Sequence, residues 1–121
     1  MRKPSIFKSF KNSFYGLYCI FGSERNFRIE CLALIINIFL IIILKLNKTD
    51  ILIILAVSFG VLVCEIFNTA IEKICDIINP NYDKRVGFIK DISAGGVLLM
   101  AAFSVIVGVF VYWKYLEKIL F

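Results

Sequence analysis

Three long apolar stretches run through the chain, and short polar segments separate them. They cover residues 29–46, 51–78 and 92–113, interrupted by few charged residues. As α-helices the first and third would be about 27 and 33 Å long, close to the roughly 30 Å of a bilayer's hydrocarbon layer. The pattern therefore predicts three membrane-spanning helices, with polar turns at 47–50 and around 79–91.

An amphipathic pattern precedes the first span, over residues 5–21. Large apolar side chains recur on one side of this segment, and Lys8, Lys11 and Asn12 lie on the other. This arrangement is typical of a helix in the membrane interface, although packing on the protein's own helices would fit equally well. After the break that follows, Ser23 is a candidate N-cap for a new helix that starts at Glu24.

Composition supports one membrane-embedded domain, residues 1–121. The chain is 60% hydrophobic and 15% aromatic, and its mean hydropathy is +0.88. These values lie outside the usual range of soluble domains, so we expect an all-α integral membrane protein. The net charge of +5 favours contact with anionic lipid over nucleic acid, because the basic residues flank the apolar spans.

The lysines and arginines also predict how the chain is oriented in its membrane. With three spans, the N-terminus and the segment 79–91 lie on one side. That side carries ten basic residues against four on the other, which places the N-terminus in the cytoplasm. The ten are Arg2, Lys3, Lys8, Lys11, Arg25, Arg28, Lys73, Lys84, Arg85 and Lys90, and the four are Lys45, Lys48, Lys114 and Lys118.

Acidic residues interrupt the second span, where a carboxylate costs about 2.5–3.5 kcal/mol and is kept mainly for chemistry or ion conduction. On a helix of about 100° per residue, Glu65, Asn68, Glu72 and Asp76 fall within roughly 80° of one another. The stripe leads from membrane depth toward the cytoplasmic surface. It predicts a polar groove that opens to the side where nucleotides are found.

Such a groove suits a reaction between a lipid and a soluble molecule. The deep carboxylate can act as a general base, a more exposed one can hold a hard cation, and Lys90 can supply positive charge to phosphates. The chain has no histidine, which leaves this work to carboxylates. A small proton-coupled transporter would use a buried glutamate equally well, and a scaffold subunit without chemistry is a third hypothesis.

The residues of this stripe resemble a known signature. The run from Glu65 to Asp76, EIFNTAIEKICD, is followed by Lys90-Asp91 and small residues. It resembles the pattern E-x-x-N-[ST]-[SA]-x-E-x-x-x-D, then K-D, of the prokaryotic diacylglycerol kinase family, and the similarity extends over nearly the whole chain. The resemblance implies an ATP-dependent lipid kinase in a bacterial cytoplasmic membrane.

The resemblance also implies roles for individual residues. Glu65 would take the proton of the lipid hydroxyl, and Glu24 and Glu72 would hold Mg²⁺ against the phosphates of ATP. Asn68 and Asp76 would form hydrogen bonds within the site. The residues that the resemblance assigns to the nucleotide are Lys90, Asp91, Asn81, Tyr82, Asp83 and Asn12.

The same resemblance implies a homotrimer, in which neighbouring copies shield the polar stripe from lipid. The segments 24–26 and 79–82 are more similar to the branch that phosphorylates undecaprenol than to the branch specific for diacylglycerol. The chain departs from the family pattern at Gly96 and at Phe14-Tyr15. These departures affect the expected shape of the lipid pocket more than the expected phosphoryl transfer.

Structural interpretations stay open beside these roles. Glu65 could be a neutral acid hydrogen-bonded between helices, Glu24 could form a surface ion pair with Arg28, and Lys90 could only anchor a span at the interface. Two further expectations are structural: Asn37 forms a hydrogen bond between helices, and the aromatic residues at 112, 113 and 115 form an interfacial belt.

Overall fold

The computed structural model describes residues 3–121, so Arg2 lies outside the described part of the chain. Over these residues the protein is entirely helical, which confirms the all-α prediction. Three of its helices are long and apolar enough to cross a membrane, in agreement with the three predicted spans. The four helices are α1 (Ile6–Ser23), α2 (Arg25–Ile43), α3 (Lys48–Ile78) and α4 (Lys84–Leu120).

Polar residues extend the helices beyond the predicted apolar spans, and the predicted start of the second helix at Ile51 was wrong. Helix α4 begins at Lys84 and ends at Leu120, well outside the predicted 92–113. Helix α3 starts at Lys48, within the predicted turn, since the Asn47 side chain caps it by accepting from the backbone N–H of Asp50 at 2.8 Å. A charged helical residue costs little once its side chain reaches water or a headgroup.

The junction of α1 and α2 also differs from the prediction. Ser23 is the last residue of α1, and Glu24 alone separates the two helices. Its backbone N–H donates to the Ile20 carbonyl at 2.9 Å, whereas its side chain forms no capping hydrogen bond. The carboxylate of Glu24 therefore stays available, which a capping role would have prevented.

Helices α2, α3 and α4 run antiparallel to their neighbours, with α3 between the other two and packed most extensively on α4. We call the end of the bundle that holds Glu24, Asp76 and Lys90 the site end, and the opposite end the far end. Each end has a small apolar cluster. The cluster at the site end contains Ile20, Phe27 and Leu62, and that at the far end contains Leu46, Ile54 and Val111.

Polar contacts join α3 to α4 at the far end. The carboxylate of Asp50 is buried and accepts from the Tyr115 hydroxyl at 2.6 Å and from the Lys114 ammonium at 3.0 Å. The Tyr115 oxygen in turn accepts from the backbone N–H of Asn47 at 3.0 Å. Tyr115 thus has a specific interhelical role that the prediction of an aromatic belt did not include, whereas Trp113 is exposed as a belt residue would be.

The turn between α2 and α3 holds Lys45 in the left-handed region, at φ 53°. The N–H of Leu46 donates to the Ile41 carbonyl at 3.2 Å, which closes the helix in a Schellman arrangement. A lysine in this conformation costs about 1–2 kcal/mol.

We therefore expect Lys45→Gly to raise the free energy of unfolding by about 0.5–1 kcal/mol, measured by SDS titration in mixed micelles. Lys45→Ala is the control, because it removes the charge but keeps a side chain in the left-handed conformation, and it should not raise the free energy of unfolding. An equal gain in stability in both variants would contradict the explanation by backbone strain.

Candidate functional site

The centre of the candidate site is a pair of buried polar residues on α3. Glu65 is 6% exposed and Asn68 is 9% exposed, so the structure places both inside the protein. The Asn68 amide donates to the Glu72 carboxylate at 3.2 Å. Its carbonyl oxygen is buried and has no hydrogen-bond partner among the described residues. Since a buried acceptor without a donor is costly, this oxygen is available to a bound molecule.

Helix α2 brings further carboxylates to Glu65. The Asn37 amide on α2 donates to the Ser58 hydroxyl on α3 at 3.1 Å, which fixes the register of the two antiparallel helices and confirms the predicted hydrogen bond of Asn37. Counting from this pair along both helices places Glu30 opposite Glu65. Glu30, Glu72 and Glu24 all interact electrostatically with Glu65. The three carboxylates therefore lie close enough to influence Glu65, although no three acidic side chains of the described residues form a metal-binding group.

Glu30 is a residue of this group that the sequence analysis did not nominate. Its burial is intermediate, and it lies within the first span. The signal was present in the sequence, because an acid inside an apolar span is as costly in α2 as it is in α3. The spacing of Glu24 and Glu30 gave no sign that they belong together, because residues six positions apart do not lie on the same face of a helix. They approach the same region because Glu24 lies just before α2 begins.

The junction before α2 determines the surroundings of Glu24. The Arg28 guanidinium donates to the carbonyls of Phe21 and Gly22, at 2.9 and 3.0 Å, and so caps the end of α1. The alternative of a Glu24–Arg28 surface pair is therefore wrong. The cation nearest Glu24 is Lys73, whose ammonium lies 3.8 Å from the carboxylate. An exposed contact of this length is weak, so another cation can replace it.

A second polar region lies where α3 ends and α4 begins, around a cavity of about 240 Å³. The Lys90 ammonium lies 2.6 Å from the Asp76 carboxylate, which links the two helices. Both side chains are partly exposed, at 36% and 58%. The residues that line this cavity are Asp76, Asn79, Pro80, Asn81, Tyr82, Asp83, Val86, Gly87, Lys90 and Asp91.

Asp83 has a structural task in this region. Its carboxylate caps α4 by accepting from the Arg85 backbone N–H at 2.8 Å and pairs with the Arg85 guanidinium at 3.0 Å. These Arg85 contacts lower the pKa of Asp83 to about 2. Asp83 is therefore ionised throughout the physiological range.

The other residues assigned to the nucleotide by resemblance lie on the surface. Tyr82 is 91% exposed, and the backbone N–H of Asn81 donates to the Asn79 side chain at 3.1 Å. Asp91 is exposed beside Lys90 on α4, and Asn12 is exposed on α1. The structure thus gathers all of these residues except Asn12 around one cavity. Their roles toward a nucleotide stay predictions.

An apolar cleft between α3 and α4 adjoins Asn68. Its volume is about 200 Å³, and nearly all of its surface is apolar. No side chain of the described residues comes within 4 Å of a Cβ built at Gly96, so this position leaves the cleft open. The residues that line it are Cys64, Phe67, Asn68, Ile71, Ile92, Ser93, Gly96 and Val97. The cleft is therefore apolar apart from its border with Asn68 and Ser93.

Comparison with known proteins identifies the family. The model of the prokaryotic diacylglycerol kinases matches residues 11–112. A diacylglycerol kinase of Synechocystis sp. is 32% identical over 87% of this chain, which spans 61% of that protein. An undecaprenol kinase of Bacillus subtilis is 29% identical, with 88% of this chain and 87% of the relative covered. A diacylglycerol kinase of Escherichia coli is 26% identical, with 91% of this chain and 90% of the relative covered.

The family match covers most of the chain, including the stripe from Glu65 to Asp76, the Lys90-Asp91 pair, all of α2 and α3 and most of α4. The relatives are named as kinases of two different membrane lipids. The chain therefore belongs to the prokaryotic diacylglycerol kinase family, a family of membrane-embedded lipid kinases.

Proposed function

We propose that this protein transfers the γ-phosphoryl group of ATP to the hydroxyl group of a membrane lipid alcohol, with undecaprenol as the substrate and diacylglycerol as the alternative. The observation that carries the proposal is the buried Glu65–Asn68 pair beside the α3–α4 cleft. The unpartnered oxygen of Asn68 needs a hydrogen-bond donor, and a lipid hydroxyl supplies one. The apolar cleft suits the hydrocarbon chain attached to it.

Glu65 is placed to accept the proton of that hydroxyl. Glu65 and Asn68 are three residues apart on one helix, so they lie on the same face with their Cβ atoms about 5–6 Å apart. The hydroxyl donates first to Asn68 and then to Glu65 as its oxygen attacks the γ-phosphorus. The new O–P bond forms, the bond from that phosphorus to the bridging oxygen breaks, and ADP leaves with the electron pair while Glu65 keeps the proton.

The polar cavity at the site end is the proposed nucleotide site. Lys90 is the cation that would contact the phosphates, together with Asp91, Asn81, Tyr82 and Asp83 nearby. The Lys90–Asp76 ion pair is partly exposed and therefore worth no more than about 1 kcal/mol. A polyphosphate carries more charge than one carboxylate and can displace Asp76. Asp76 then stays close as an acceptor for ribose or water.

Glu24 and Glu72 fit a magnesium ion. The described residues bring together no group of three or more acidic, histidine or cysteine side chains suited to a metal. Mg²⁺ in kinases is commonly bound by only one or two carboxylates, with phosphates and water as its other ligands. When bound, the ion would neutralise the charge that develops on the phosphates. Glu24 makes no capping hydrogen bond, and its contact to Lys73 is long, so its oxygens are available.

Two further parts of the proposal concern the assembly. We place the N-terminus and the site end in the cytoplasm, because ten of the fourteen basic residues lie on that side. We also propose a homotrimer, in which neighbouring copies cover the polar groove where three spans per chain leave it open to lipid. A protease-protection assay on a tag at the N-terminus and the mass of the detergent-solubilised protein test these two statements.

The lipid preference is tested by competition. Purified protein in mixed micelles receives labelled ATP, Mg²⁺ and equal amounts of undecaprenol and diacylglycerol, and the two lipid phosphates are separated. We expect kcat/KM for undecaprenol to exceed that for diacylglycerol by at least about tenfold, a difference of about 1.4 kcal/mol in transition-state binding. Equal or reversed ratios would contradict the assignment of undecaprenol, while the kinase activity itself would still stand.

A further inference from the structure

A third cavity lies deeper in the bundle, between α2, α3 and α4. Its volume is about 60 Å³. Helix α2 contributes Glu30 and Asn37 to its wall, α3 contributes Ser58, and α4 contributes Ser104 and Gly108. The space belongs to the membrane-spanning part of all three helices, yet four of its ten lining residues, Glu30, Asn37, Ser58 and Ser104, carry polar side chains. We refer to it as the inner cavity.

Hydrogen bonds hold its walls in place without using all of its polar groups. The Tyr112 hydroxyl donates to the side-chain Oδ1 of Asn37 at 2.8 Å, and the side-chain Nδ2 of Asn37 donates to the Ser58 hydroxyl at 3.1 Å, so one asparagine joins all three helices. Ser58 donates onward to the Ile54 carbonyl at 2.7 Å. Within residues 3–121, however, the carboxylate of Glu30 forms no side-chain hydrogen bond, and the second N–H of Asn37 has no acceptor.

We propose that the inner cavity is a water-binding site and holds a cluster of about four water molecules, at about 15 Å³ for each. Lipid chains cannot satisfy these groups, because hydrocarbon neither donates nor accepts hydrogen bonds. Water fits the volume and offers both donors and acceptors. A buried water needs two to four polar partners, and the carboxylate, amide and hydroxyl groups of the wall supply them.

The cluster has a consequence for the carboxylates near Glu65. Glu30 belongs both to the wall of the inner cavity and to the group that interacts with Glu65. Water in the cavity therefore forms hydrogen bonds with the Glu30 carboxylate at a depth where lipid chains form none. It extends hydrogen bonding from the carboxylate region toward the middle of the membrane. This inference stands on the cavity and its walls, and it does not depend on the proposed kinase activity.

The test is solid-state NMR of the full chain in bilayers, with magnetisation transferred from water to the protein. In the unaltered protein we expect rapid transfer to Ser58 and Ser104. Gly108→Leu should fill the cavity and reduce the transfer to Ser58 several-fold. Gly95→Leu is the matched control, since no side chain lies within 4 Å of a Cβ at Gly95 and this residue does not line the cavity.

A second variant keeps the test decisive if Gly108→Leu does not fold. Ser104→Ala removes only the hydroxyl oxygen and with it one polar partner, so it should weaken the transfer at Ser58 while the spectrum stays that of the folded protein. Absence of transfer from water in the unaltered protein would overturn the proposal. Transfer that is equally rapid in Gly108→Leu or Ser104→Ala would overturn it as well.

Discussion

Glu65→Gln is expected to lower kcat for lipid phosphorylation by about 10²–10⁴-fold, the usual contribution of a general base. Glutamine keeps the size of the side chain and its ability to hydrogen-bond, but it cannot accept the hydroxyl proton. Because the substitution removes a group that acts in the transition state, KM for the lipid should change much less than kcat. Initial rates with labelled ATP at several lipid concentrations separate the two.

The control for this prediction is Glu117→Gln, the same chemical change on an exposed glutamate near the far end of α4. It should leave kcat and KM unchanged. The purified Glu65→Gln protein must show the circular dichroism of the folded chain. A folded Glu65→Gln protein with kcat close to that of the unaltered chain would contradict the role of Glu65 as the base.

Tyr115→Phe should have the largest effect on stability among single-atom changes. The hydroxyl group donates to the buried carboxylate of Asp50 at 2.6 Å and accepts from the Asn47 backbone at 3.0 Å. A hydrogen bond to a charged group contributes about 1.5–3 kcal/mol. Removing it also leaves the buried carboxylate of Asp50 with one partner fewer. We expect the free energy of unfolding to fall by about 2–3 kcal/mol in an SDS titration.

Tyr18→Phe provides the comparison, because Tyr18 is 76% exposed and forms no side-chain hydrogen bond with the described residues. It should change the stability by no more than about 0.5 kcal/mol. Kinetic constants of Tyr115→Phe measured well below its unfolding transition should stay normal, since the far end is remote from Glu65. Equal stability of the two variants would show that the Asp50 contacts add nothing to folding.

The sequence predicted the parts of the fold that depend on one helix at a time. The apolar stretches are long enough to predict three spans. The polar residues on the second span recur with a helical period, and they lie in one helix, α3. Glu65, Asn68 and Glu72 could be placed on one face for this reason. The family signature then supplied their expected roles, which periodicity alone does not provide.

What the sequence did not reveal depends on contacts between helices. Glu30 became part of the site only when the Asn37–Ser58 hydrogen bond fixed the register of α2 and α3. Asp50 looked like a turn residue, but Lys114 and Tyr115, more than sixty positions away, bury and pair it. Arg28 was a plausible partner for Glu24, yet the carbonyls at the end of α1 bind it instead. Such pairings follow from packing, which a pattern along one helix does not encode.

The central claim is that the carboxylates around Glu65 catalyse phosphoryl transfer from a soluble nucleotide to a membrane alcohol. Its most direct measurement uses purified protein with γ-labelled ATP, Mg²⁺ and a lipid alcohol, followed by extraction of the lipid phase. The account predicts label in a lipid phosphate, formed only when the protein, the nucleotide and the alcohol are all present. Absence of labelled lipid with both undecaprenol and diacylglycerol, from protein shown to be folded, would contradict it.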